Sequence, residues 1–179
     1  MGKPGRPIIQ VERVDVPHGS RIAGALTPVD YADAYRVALP ADFPPGVVAF
    51  AHRLFDSRPA WVDGLMSTRD RAVALFGLKT APRGAAHAAT FEPGSNLGLF
   101  RVFERTEREI LLGQDDKHLD FRLSLLLDGS GHAVVTTVVK FNRFLGRAYF
   151  APVRPLHRLI VPAMMRAAVR PKDEAARGA

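Results

Sequence analysis

Three groups of side chains have types and spacings that could do chemistry. His118, Asp120 and Arg122 alternate in His118-Leu119-Asp120-Phe121-Arg122. Alternate residues of a strand share a face, so Asp120 could orient the His118 imidazole for general acid–base work, or simply pair with Arg122 on a wet polar face. Lys140, one strand further on, is a further polar candidate. His157 stands between Arg154 and Arg158, and helical spacing sets those two arginines on one face at i, i+4. That patch suits a phosphate or a lipid head group, and equally a solvated basic surface. Tyr31, Tyr35, Trp61, Phe121, Phe141 and Tyr149 could line an apolar cavity or fill an ordinary core, which periodicity does not distinguish.

Other chemistries lack their local signatures. The chain has no cysteine, which removes disulfides, thiol chemistry and cysteine-rich zinc sites. Its six histidines are scattered and form no H-E-x-x-H, so no metal and no cofactor are expected. Neither a G-x-S-x-G elbow, a P-loop nor a G-x-G-x-x-G is present. Asp115-Asp116 beside Lys117 could hold a cation, or be a solvated turn.

Composition bounds the partners. With 47% hydrophobic and 24% charged residues over 179, the chain suits one folded domain. No apolar run approaches the roughly 20 residues of a membrane span, and the segment after Met1–Pro7 is not a signal peptide, so a cytoplasmic protein is expected. The net charge of +7 is concentrated late: from Gly129 to Lys172 there is no Asp or Glu, against Lys140, Arg143, Arg147, Arg154, Arg158, Arg166, Arg170 and Lys172. An anionic membrane surface is one partner that this permits. Nucleic acid is not expected, because no aromatic residues interleave with the basic ones in a recognition motif.

The elements that must position these groups follow from periodicity. Residues 1–30 carry four prolines and read as an extended arm with a short strand at Ile8 to Val14. Tyr31 to Leu39 puts Tyr31, Tyr35, Val37 and Leu39 on one parity, a half-buried strand. After Pro44-Pro45-Gly46, the spacing of Val47, Phe50, Ala51, Leu54 and Phe55 predicts an amphipathic helix. A second helix is predicted from Pro59 to Gly77, and a short strand around Ala88 to Phe91. Leu97 to Glu104, Glu109 to Gln114, Leu119 to Leu127 and Ala133 to Phe141 read as an antiparallel meander, with Asp128-Gly129-Ser130-Gly131 making the last reversal. Leu119, Phe121, Leu123, Leu125 and Leu127 alternate with polar residues, whereas Val134 to Val139 needs cover on both faces. Leu145, Tyr149, Val153, Leu156, Ile160 and Met164 draw a helical stripe. Pro152 and Pro155 predict a break near Ala151 to Pro155, and Pro162 a bend. Residues 171–179 read as a frayed tail.

This order of elements resembles the START-like, or helix-grip, superfamily, in which a curved antiparallel sheet wraps around a long C-terminal helix. More specifically, Leu112 to Arg122 and Thr136 to Arg158, the latter containing Lys140-Phe141-Asn142-Arg143-Phe144-Leu145-Gly146-Arg147, look like a bacterial domain-of-unknown-function family, number 2867, placed in that superfamily. The likeness runs from about Tyr31 to Arg170. It implies an α+β domain over residues 31–170 with a sheet of about seven strands, two of them supplied by the arm and by the Ala/Gly-rich connection. It also implies an apolar or amphipathic ligand between sheet and helix, against Tyr35, Phe121, Leu123, Thr137, Phe141, Tyr149 and Leu156. Some members of the superfamily are cyclases or hydrolases, for which His118 with Asp120, or His157, would be the acid–base groups here. A peripheral membrane or protein-interaction module using the basic helix is the third reading.

Overall fold

The computed structural model describes residues 8–57, 59, 61, 62, 90–98 and 100–171. The fold is α+β: one curved antiparallel sheet of seven strands with a long C-terminal helix against it. The strands are β1 (Val11–Val14), β2 (Tyr31–Ala38), β3 (Asn96–Leu97), β4 (Phe100–Arg105), β5 (Glu109–Asp115), β6 (Leu119–Leu127) and β7 (His132–Phe141). Helix α1 is Val47–Asp56 and helix α2 is Phe144–Ala168. Spatially the sheet runs β1-β2-β7-β6-β5-β4-β3, so the arm's strand reaches the sheet by pairing with β2 at one edge.

Register decides which side chains meet. Asp33 lies opposite Thr137, Thr137 opposite Leu123, Leu123 opposite Leu112 and Leu112 opposite Val102, so these five form one row on one face. The neighbouring rows on that face carry Tyr31, Val139 and Phe121, and Tyr35, Val135, Leu125 and Ile110. The main core is formed between this face and the two helices, from Tyr35, Val37, Ile110, Leu112 and Leu125 with Phe50 and Leu54 of α1 and Val161 and Met165 of α2. Ile22, in a short 3₁₀ turn at Arg21–Gly24, covers the opposite face with Leu111 and Val138, so β7 is buried on both sides as its composition requires. The buried Glu109 carboxylate ties that segment down, accepting from Ser124 Oγ at 2.6 Å and from the Arg21 N–H at 2.9 Å.

The β6–β7 reversal has the geometry its residues predict. Gly129 and Gly131 sit at φ of 80° and 84°, and Asp128 Oδ1 accepts the N–H groups of Ser130 and His132 at 2.8 and 3.2 Å. Arg53 of α1 donates to the carbonyl of Arg170 at 2.8 Å, placing a cation at the negative end of α2.

Four expectations change. The single strand expected from Leu97 to Glu104 is two, because Gly98 at φ 61° reverses the chain and folds Asn96–Leu97 back onto Phe100 and Arg101. Phe91 is not in a strand but stands at φ 52°, buried against Phe55; residues 88 and 89 lie outside the described set. Helix α2 is continuous across Pro152 and Pro155. Those prolines free the carbonyls of Ala148 and Ala151, and both residues are exposed, so water replaces the lost donors while the other side of the helix packs. The buried stripe of α2 keeps Ile160 but is otherwise displaced by one residue: Gly146, Phe150 and Met165 are buried in place of Leu145, Tyr149 and Met164, with Val161, Pro162 and Ala168 completing it and Leu145 exposed. Of the second helix, only residues 61 and 62 are described, and both are helical; Trp61 is exposed.

Gly146 allows α2 to start where it does. A Cβ there would collide with the backbone carbonyl of His118, which cannot swing aside. Gly146→Val is expected to destabilise the fold by about 1–3 kcal/mol, read as a lower urea midpoint.

Candidate functional site

An acid lies in the core-facing row of β2. Asp33 is 2% exposed, flanked on its own strand face by Tyr31 and Tyr35, because residues two apart on a strand point the same way. Burying a carboxylate is costly unless other groups satisfy it. The Tyr31 hydroxyl donates to Asp33 Oδ2 at 2.5 Å and the Tyr35 hydroxyl at a long 3.5 Å. From above, α2 lowers His157 onto the row, with Nε2 3.3 Å from Asp33 Oδ1 and 3.1 Å from Thr137 Oγ1. His157 sits about one turn from Val153 and one turn from Val161, where helical spacing carries the packed face of α2.

Electrostatics agree with this geometry. Burial pushes the Asp33 carboxyl up, but the His157 imidazole, the Tyr31 hydroxyl and the charge of Arg13 outweigh it and hold the carboxyl below its ordinary range. Asp33 is therefore an acceptor, and its Oδ1 faces the His157 Nε2 that also meets Thr137 Oγ1. Burial and the adjacent Asp33 push the Tyr31 hydroxyl up to about 12, so it remains a donor. Tyr35 is raised for the same two reasons. Tyr31→Phe removes the shortest bond to the carboxylate. It is expected to cost about 1.5–3 kcal/mol, as for hydrogen bonds to charged groups, and to move the Asp33 titration upward by NMR.

The other candidate residues divide between two faces. Tyr35, Phe121, Leu123, Thr137 and Phe141 share the core-facing side of the sheet; Tyr35 and Thr137 are buried and the other three half-buried. Tyr149 and Leu156 of α2 are half-buried. Asp120, Arg122 and Lys140 are on the opposite parity, with Lys140 across from Asp120. Arg122 is buried, ion-paired to Asp115 at 2.7 Å and stacked 3.8 Å above the Phe103 ring. Asp120 accepts the Asp116 N–H at 3.1 Å, and His118, just before β6, keeps a buried Nδ1 without a hydrogen-bond partner. Of the two readings of that strand face, the His118–Asp120 pairing is not formed, because the turn at 116–118 claims the carboxylate. The acid that meets a histidine on the core-facing side is Asp33, which sequence reasoning passed over although it stands between two tyrosines of the buried parity.

No curated protein and no solved structure shows a match to this chain. Among the described residues no helix is long and apolar enough to cross a membrane. A family model, described as protein of unknown function (DUF2867), matches residues 25–164. That span holds Tyr31, Asp33, Tyr35, Thr137 and His157 together, and on a match over more than half of its length the chain belongs to the DUF2867 family.

Proposed function

We propose that this chain is a cytoplasmic, START-like binding domain that holds a small apolar or amphipathic molecule between the core-facing side of the sheet and α2, with the Asp33–His157 pair as its polar anchor. The observation that carries this reading is an ionised, 2% exposed carboxylate in the apolar layer between sheet and helix, with an imidazole and two tyrosine hydroxyls turned towards it. A few convergent polar groups with perturbed titration in an apolar setting are typical of small-molecule sites. Beside Thr137 the row continues into half-buried Leu123, and the next row into half-buried Phe121, an apolar track leading away from the anchor.

Titration with a neutral solvatochromic dye such as Nile red tests this. Saturable binding is expected, weakened at least tenfold by Leu123→Trp, which fills the track, with the melting temperature held. Absence of saturable binding, or an affinity indifferent to Leu123→Trp, would count against it.

One observation favours a second reading. His157 Nε2 stands 3.3 Å from Asp33 Oδ1, a placement from which a carboxylate can orient an imidazole for acid–base work. A carrier returns its ligand chemically unchanged; an enzyme returns a product whose formation stops in His157→Gln.

A further inference from the structure

Three arginines converge on the Tyr31–Asp33–Tyr35 cluster from two different elements. Arg13 of β1 pairs in register with Tyr35 and so shares its face of the sheet. Arg154 of α2 lies with its guanidinium 5.3 Å from the centre of the Tyr31 ring. Arg158, one turn on, sits beside the Tyr31 hydroxyl and lowers its pKa against the other influences there. Its Nε is buried and has no hydrogen-bond partner. A buried guanidinium donor left unmade costs free energy, and a ligand acceptor would recover it.

A cleft beside this cluster shares Arg13 and Asp33 with it. After Val14 pairs with Ala34, the arm leaves the edge of β2, and a cleft of about 470 Å³ forms there, lined by Arg13, Val14, Asp15, Val16, Ala32, Asp33 and Ala34. Asp15 and Asp33 line the cleft; Asp33 Oδ2 accepts from the Tyr31 hydroxyl, and its Oδ1, without a hydrogen bond, has His157 Nε2 3.3 Å away. Arg13, Arg154 and Arg158 remain as cations in excess, and guanidinium groups bind planar or tetrahedral oxyanions through paired donors.

The geometry points to an oxyanion subsite formed by Arg158, Arg154 and Arg13 over Tyr31, so that the ligand of the proposed site is an amphipathic acid whose carboxylate or phosphate sits against these arginines while its apolar part lies along Thr137, Leu123 and Phe121. This rests on the binding reading above and narrows it to a ligand class. Charge-assisted bonds are about twice as strong as neutral ones, so an anionic head should be favoured over a hydroxyl of equal chain length by about tenfold or more.

The test is competition by decanoate, decyl phosphate, decanol and decyltrimethylammonium against bound Nile red, in the full chain and in Arg154→Gln/Arg158→Gln. Either acid is expected to displace the dye at least about tenfold more tightly than decanol, and the tighter of the two identifies the oxyanion. The cation should be weakest. In the double variant the advantage of the acids should vanish while decanol is unaffected, and Arg166→Gln, in the last turn of α2, should leave all four unchanged. If decanol matches the acids in the native chain, the oxyanion subsite is wrong and the binding reading stands. Saturable dye binding that none of the four displaces overturns the subsite alone, and absence of dye binding overturns both. If the double variant unfolds, the single Arg154→Gln, at an exposed position, decides: an undiminished preference for the acids rejects Arg154 as part of the subsite.

Discussion

Asp33→Ala is expected to remove about 3 kcal/mol or more of stability at neutral pH, since it takes away the charged acceptor of two buried tyrosine hydroxyls and a hydrogen bond to a charged group is worth about 1.5–3 kcal/mol. The alanine would leave the Tyr31 and Tyr35 hydroxyls directed at a space without their acceptor, 1% exposed on the Asp33 side, while His157 Nε2 keeps Thr137 Oγ1 at 3.1 Å. Urea unfolding should show a lower midpoint with an unchanged slope. A loss below about 1 kcal/mol, the size of one ordinary hydrogen bond, would mean that water or a rearranged neighbour satisfies those donors. Asp33→Asn adds a pH dependence of definite sign. The folded carboxyl titrates below its ordinary value, so its contribution is fully present above the unfolded pKa of about 3.9 and is lost as pH falls through the lower, folded value. The native chain should therefore weaken relative to Asp33→Asn as acid is added below about pH 4. Asp128 titrates low as well, held there by the N–H groups of Ser130 and His132 despite its burial, so the difference between the two proteins, and not the native curve alone, isolates Asp33.

The second large effect lies in the apolar core. Phe50 is fully buried on α1, with its ring 6.3 Å from that of Phe43 and its neighbours drawn from the sheet and from α2. Phe50→Ala removes most of that side chain from a packed interior and is expected to cost about 3–5 kcal/mol, transfer and cavity together. Leu159→Ala, at a position 62% exposed on α2, should stay within about 0.5 kcal/mol. Equal effects at the two sites would mean that α1 is not packed as described. Unfolding monitored by circular dichroism distinguishes these outcomes.

Much of the fold can be read locally. The alternation of Leu119, Phe121, Leu123, Leu125 and Leu127 specifies a strand with one buried face, and Asp128 to Gly131 specifies its turn, because both depend only on neighbours in the chain. Helix α1 follows for the same reason from Val47, Phe50, Ala51, Leu54 and Phe55, all of them buried. The proline-bearing helix is misjudged locally: the cost of Pro152 and Pro155 depends on whether the freed carbonyls meet water, which is a property of the packed orientation. The one-residue displacement of its buried stripe has a related origin. Pattern reading follows large apolar side chains, whereas the packed face admits Gly146, where only hydrogen fits, and His157, which is polar.

The candidate site is the least legible part. Asp33 and His157 are far apart in the chain and meet only through the register of β2 on β7 and the placement of α2 across them. His157 was visible as a candidate through its flanking arginines, but its partner was not, because an acid at a buried parity breaks the pattern by which that parity is recognised. The tyrosines on either side of Asp33 are the signal that was available: two hydroxyl-bearing residues spaced to reach a single carboxylate between them.

Native mass spectrometry of the purified full chain, followed by denaturation and identification of whatever is released, tests most directly whether the layer between sheet and helix is a binding site. A small molecule with an apolar body and an acidic group is expected, retained by the native chain and lost from Asp33→Ala and from Arg154→Gln/Arg158→Gln. A bare protein mass in every case, unchanged after incubation with decanoate and with decanol, would contradict this and leave the Asp33–His157 pair a structural feature of the core.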